Sequence, residues 1–145
     1  MKVLLDTSVL VAAVVEMHEA HGRAFAALDQ VQRARDEGVV SAHSLAEMYA
    51  ILTRAPAPLR HSPEQALLSI EENVLKHFKV LALNGSDYAD LVREAAMAGI
   101  QGGTIYDAIV LKAAAKSNVD RVYTLNLKHF LAVAPSSMVP TLSTP

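Results

Sequence analysis

A chain of 145 residues with 52% hydrophobic and 19% charged side chains carries enough apolar material for a substantial core, which excludes a disordered polymer. It contains no cysteine, so a disulfide scaffold and a thiolate metal site are excluded, and a reducing cytosol is compatible. The formal net charge of −2 will not draw in a polyanion, so nucleic acid would have to be held by a local basic patch or by metal ions.

In chain order, Lys2 to Leu5 is a short apolar run expected to form a buried first strand. Asp6-Thr7-Ser8 supplies capping residues, and Val9 to Val15 continues as a buried helix. That run is far short of the roughly 18 residues a membrane span requires, and no small-residue cleavage site precedes His18, so we expect a cytoplasmic protein with no membrane segment. A second helix is expected from Glu19 to Arg35, with Gly38 placed as its C-terminal cap, followed by a strand over Val39 to Ser41. His43 or Ser44 opens a helix to about Arg54, stopped by Ala55-Pro56-Ala57-Pro58. Ser62-Pro63-Glu64-Gln65 reads as a capping box opening a helix to about His77. Lys79 to Leu83 reads as a third strand, Asn84-Gly85 as a turn, and Ser86 to Ala98 as a helix capped by Gly99. Gly102-Gly103-Thr104 leads into a helix ending near Asn118; Arg121 to Thr124 is a fourth strand, and Met138-Val139 a candidate fifth. Short strands alternate with long helices and no hairpin joins two strands, which implies one α/β domain over residues 1–145. Its central parallel sheet has four to five short strands with helices on both faces.

In such sheets ligands bind beyond the carboxyl ends of the strands. Asp6 follows the first strand and Asn126 the fourth, while Glu47 and Asp107 fall in the first turns of helices expected to begin at that edge. Each acid stands alone in an apolar stretch, where a carboxylate is costly unless it is hydrogen-bonded or bound to a cation. A structural alternative stays open: Ser44 to Glu47 and Thr104 to Asp107 both fit capping boxes, and Asp6 could cap the first helix. Two further patterns, His18 with His21 and His43 with Glu47, have spacings that share a helix face, but neither has a third ligand nearby; we read them as surface or capping histidines.

Asp6-Thr7-Ser8 after an opening strand, Glu47 in an apolar helix, Gly102-Gly103-Thr104-Ile105-Tyr106-Asp107-Ala108 and Tyr123-Thr124-Leu125-Asn126-Leu127-Lys128-His129-Phe130 together resemble a PIN-domain ribonuclease. Within that family the chain is most similar to the VapC-type toxins of toxin–antitoxin pairs, from Met1 to about Val139. The resemblance implies a PIN-like fold and RNA phosphodiester hydrolysis. Asp6 and Asp107 would be direct ligands of Mg²⁺ or Mn²⁺, and Glu47 would hold a second ion or orient the attacking water. Asn126, with Thr7, Ser8 and Thr104, would position waters around them. Many family members carry aspartate where this chain has Asn126, an amide that can ligate a hard cation but adds no charge. Lys112, Lys128 and His129 are the expected RNA-binding residues nearest the cleft. The family further implies a cognate antitoxin and a homodimer. Two other readings remain: a non-catalytic PIN-like interaction module, and a different metal-dependent phosphoesterase. Against the latter, the chain has neither an Asp-x-Asp pair at Asp6 nor a phosphate-binding glycine loop.

Overall fold

The computed structural model describes residues 1–145. Five strands, β1 (Lys2–Leu5), β2 (Glu37–Ser41), β3 (Phe78–Leu81), β4 (Arg121–Tyr123) and β5 (Leu142–Ser143), form one sheet in the order β3-β2-β1-β4-β5. Every pairing is parallel. The connections are made by seven α-helices: α1 (Thr7–Val14), α2 (His21–Gln32), α3 (Ala42–Arg54), α4 (Pro63–Ile70), α5 (Gly85–Met97), α6 (Ile105–Lys116) and α7 (Leu127–Val133). No helix is long and apolar enough to cross a membrane.

The strands read as continuous apolar runs because both faces of the sheet are covered, and successive side chains serve opposite faces. Val3 and Leu5 of β1 join Val40 of β2 in a core with α1, α2, α3 and α4, which contribute Leu10, Leu28, Met48 and Ile70. Leu4 and Val39, the alternate residues, join Val110 and Leu111 of α6 and Phe130 of α7 on the other face. A one-residue slip of β1 would exchange the two sets, so packing on both faces pins the register that pairs Leu4 with Val39 and Val122.

Several expectations are corrected. Gly38 does not cap α2, which ends at Gln32; it lies inside β2, where a Cβ would come within 2.3 Å of Val31 Cγ1 and 2.7 Å of Phe78 Cδ1. Glycine is required there by close packing of β3 and α2, so Gly38→Ala is expected to destabilise the fold by about 1–3 kcal/mol. A urea titration measures it, and an unchanged midpoint would refute this packing argument. Asn84-Gly85 is a helix start, not a turn: Asn84 Oδ1 accepts from the Asp87 amide at 2.8 Å and Asp87 Oδ2 from the Asn84 amide at 2.9 Å. The Ser62–Gln65 capping box forms as expected, although α4 gives way to a π-helical turn over Glu71–Leu75. Gly99 does take the left-handed conformation of a cap, at φ +70°. Met138-Val139 is not a strand. Val139 begins a single 3₁₀ turn containing Pro140, which has no N–H to give a ladder, and the fifth strand follows at Leu142–Ser143. α7, directly after Asn126, was not anticipated.

The winding direction places the site. From β1 the chain moves outward to β2 and β3, then returns to lay β4 and β5 on the other side of β1. The carboxyl ends of β1 and β4 therefore flank the point at which strand order reverses, where connections diverge and leave a crevice.

Candidate active site

Asp6 is the first residue after β1 and occupies the N-cap position of α1. Only 5% exposed, it is held by groups from both sides of the reversal point. Its Oδ2 accepts from Ser8 Oγ at 2.7 Å and from Thr124 Oγ1, just after β4, at 3.0 Å. The same hydroxyls bind the next loop in turn: the Leu125 amide donates to Ser8 Oγ and the Asn126 amide to Thr124 Oγ1, each at 3.0 Å. The Asp6 amide completes the join by donating to Tyr123 O at 2.9 Å. Burial pushes the Asp6 carboxyl above the ordinary carboxylate range, while the Ser8 and Thr124 hydrogen bonds oppose that rise.

Asp107, third residue of α6, comes to the same edge. Its carboxyl is pushed up to about 6, first by burial, then by the negative charge of Asp6, with Glu47 adding to it and His129 opposing it. Asp6 and Asp107 thus feel each other's charge, and no lysine or arginine forms an ion pair with either. Glu47 lies in the second turn of α3 instead of its first, and its Oε2 is 3.1 Å from His43 Nε2. The His43 ring stacks on Tyr106 with centroids 5.3 Å apart and planes at 14°.

The expected capping boxes do not account for Glu47 and Asp107. Neither Ser44 nor Thr104 forms the cap hydrogen bond that its motif offered. Asp6 stands at the N-cap of α1, and its Oδ2 is in addition bound by the hydroxyls of Ser8 and Thr124. Of the other expected residues, Ser8 belongs to the network, Thr7 is buried beside it with an unpartnered hydroxyl, and Asn126 is exposed at the N-cap of α7. Thr104 is half-buried in the turn before α6, and its side chain forms no hydrogen bond with the network.

Lys128 and His129 are exposed and line a shallow hollow with Asn126. Lys112 is not brought to this edge. Five residues beyond Asp107, it is rotated to roughly the opposite flank of the helix. There it pairs with Glu94 of α5 at 3.3 Å beside an apolar hollow lined by Leu91, Leu111 and Met138. His18 accepts from the Ala20 amide, and His21 bonds Ala12 O and stacks on Phe25, so those two are structural. Two side chains at this edge were not marked by the sequence: Thr124, whose hydroxyl joins Asp6 to the β4 loop, and Arg23, which has no ion pair and lines a second hollow with Ser8, His18, Glu19 and Asn126. The His43–Tyr106 stack was likewise not evident from either segment.

The donor set is chemically suited to a hard divalent cation: oxygen ligands only, two mutually repelling carboxylates, and no lysine or arginine paired with either. No three acidic or imidazole side chains close into a cage.

The sequence profile of the PIN domain matches residues 3–134. The chain belongs to the PIN-domain family. This PIN domain is 34% identical over 116 residues to "Ribonuclease VapC27" of Mycobacterium tuberculosis, covering 80% of this chain and 79% of that protein. It is 36% identical over 106 residues to "Ribonuclease VapC40" of the same species, covering 72% of each. In fold it is similar to crystalline VapC20 of M. tuberculosis, described as a sarcin–ricin loop cleaving toxin, at TM-score 0.70 and 14% identity over 90% of this chain and 95% of that one. It is likewise similar to a chain of VapBC2 from Rickettsia felis bound to a promoter DNA fragment, at TM-score 0.67 and 18% identity over 100% and 99% of the two chains.

Proposed function

We propose that residues 1–145 of this PIN domain work as one endoribonuclease unit that needs Mg²⁺ or Mn²⁺, and that it is the toxin half of a toxin–antitoxin pair. The observation that carries this reading is the Asp6–Asp107 pair at the reversal point of the sheet, raised in pKa by burial and paired with no lysine or arginine. The ribonuclease relatives support the choice of RNA as substrate.

In this reading Asp6 and Asp107 would hold the ion, and Glu47 would hold a second ion or orient the attacking water. When bound, the ion lowers the pKa of a coordinated water and offsets charge developing on the phosphoryl oxygen. Ser8 and Thr124 hold Asp6 in place through two hydrogen bonds, so one oxygen, Oδ2, is committed to the protein while Oδ1 carries neither of those bonds. Thr7, Thr104 and Asn126 contribute hydroxyl and amide groups for ordered water, and Asn126 adds no charge that would favour a second tightly held ion. Lys128 and His129 on one side of Asn126 and Arg23 on the other would hold flanking phosphates, since both hollows include Asn126.

Purified protein incubated with mixed RNA in Mg²⁺ or Mn²⁺ is expected to cleave it, EDTA to stop the reaction, and Asp6→Asn to abolish it. A folded wild type as inert as the variant, with structured tRNA and rRNA also tried, would instead favour a non-catalytic module. Faster turnover of a small phosphate ester than of RNA would favour a different phosphoesterase. The toxin reading also expects a cognate antitoxin, for which co-purification with the product of the neighbouring small gene is the test. We further propose a homodimer, which light scattering of the isolated chain checks.

A further inference from the structure

Tyr106 immediately precedes Asp107, yet it belongs to no core cluster and is 51% exposed. An exposed aromatic ring normally moves among rotamers, but this one is held on one face by the parallel ring of His43. His43 is itself fixed through its Nε2 contact with Glu47, one turn along α3. Beside the ring edge lies Gly103, where even an added Cβ would sit 3.7 Å from Cδ2 and Cε2, and the adjoining Gly102 takes φ +61°. A residue with a side chain at Gly103 would grow over that edge. The chain thus presents a half-exposed ring that is braced on one face, has no side chain at Gly103 beside its edge, and is joined through His43 to Glu47, whose charge reaches Asp107.

We infer that Tyr106, backed by His43, is a stacking platform for one unpaired nucleobase of the RNA strand lying in the acidic cleft. The inference rests on the nuclease reading and adds what that reading lacks, a contact to a base instead of to phosphate. Phosphate contacts position a strand without reading it, whereas single-stranded RNA is gripped by stacking its splayed bases on aromatic side chains. A two-ring stack extended by a base keeps the offset parallel arrangement that aromatic groups favour. Because every base has a π-face, the platform selects for an unstacked nucleotide, as in a loop or single strand, more than for a particular base.

The test uses short single-stranded RNA oligomers carrying 2-aminopurine at successive positions, with binding and cleavage followed in Mg²⁺. Wild type is expected to quench the fluorophore strongly at one position next to the cleavage point. Tyr106→Phe should retain the quenching and the affinity. Tyr106→Ala should lose the quenching and weaken affinity by about tenfold. It should raise KM more than it lowers kcat, because the ring touches the strand and not the reacting phosphate. If wild type neither binds nor cleaves any RNA, the nuclease reading fails and the platform with it. If wild type cleaves and Tyr106→Ala matches it in affinity and quenching, the platform alone is overturned. Loss of antitoxin binding in Tyr106→Ala with RNA behaviour intact overturns it too and assigns the ring to a protein partner.

Discussion

Asp107→Asn is expected to lower metal-dependent RNA cleavage by on the order of a hundredfold or more while making the metal-free protein more stable at pH 7. The two effects have one cause. Asp107 is pushed up to about 6 from an ordinary 3.8 because burial and the charge of Asp6 disfavour its ionised form. Below about pH 4 the group is protonated in both folded and unfolded chains and contributes nothing. Between about 4 and 6 the folded chain keeps a proton that the unfolded chain releases, so stability falls as pH rises, and above about 6 the full penalty is present. Asparagine removes the charge and hence the penalty. Because Asp107 is only half-buried, solvent screening reduces the gain to about 1 kcal/mol. Thermal melts in EDTA from pH 4 to 7.5 check the sign: the variant's advantage should appear above pH 4 and level off above pH 6. Adding Mg²⁺ should then raise the wild-type midpoint by mass action and leave the variant nearly unmoved. A variant less stable than wild type at pH 7 in EDTA would mean that the carboxylate is a structural anchor and not a strained ligand.

Such strain was partly legible in the sequence and partly not. Isolation of Asp6, Glu47 and Asp107 in apolar stretches is a local property, and strand–helix alternation is enough to bring the ends of β1 and β4 to one edge. The residues that make the site work as a unit are not local. Thr124 reaches Asp6 across 118 positions only because β4 pairs beside β1 with Tyr123 opposite Leu5. His43 and Tyr106 meet because α3 and α6 converge at the same edge, a juxtaposition absent from either segment alone. Lys112 was misplaced for a related reason: closeness to Asp107 along the chain says nothing of the helix face, and its partner Glu94 comes from α5.

The errors in the fold have the same character. A glycine after a helix carries one local signal for two situations, a cap needing positive φ and a strand position that must admit a neighbour. Gly38 is the second, a fact set by Phe78 forty residues later in the sequence. Asn84-Gly85 is ambiguous until Asp87 is seen to bond back to Asn84. α7 buries Phe130 alone among its residues, so its apolar spacing is too slight to announce a helix. Elements with long apolar faces were readable; those decided by one tertiary neighbour were not.

Thr124→Val should expose how far the site and the fold are the same structure. Thr124 is fully buried, and valine matches its shape while removing one hydroxyl. That hydroxyl donates to Asp6 Oδ2 and accepts from the Asn126 amide, so the change leaves a buried carboxylate short of a donor and a part-buried amide short of an acceptor. Hydrogen bonds to charged groups are worth about 1.5–3 kcal/mol, and the orphaned amide adds to the cost, so a loss of about 2–4 kcal/mol is expected at pH 7. Shape is preserved, so packing does not explain such a loss. Its pH dependence identifies the carboxylate. Wild-type Asp6 already has a raised pKa, and removing a bond that favours its ionised form raises it further. The variant's deficit should therefore grow as pH rises through the ionisation of Asp6 and shrink in acid, where a protonated Asp6 has less need of a donor. Cleavage should fall as well, because Asp6 would lose one of the two contacts that orient it. Urea titrations at several pH values, paired with cleavage rates, separate the outcomes: a deficit independent of pH would place the cost at the Asn126 amide, and a stable variant with reduced cleavage would assign Thr124 to orientation of Asp6 alone.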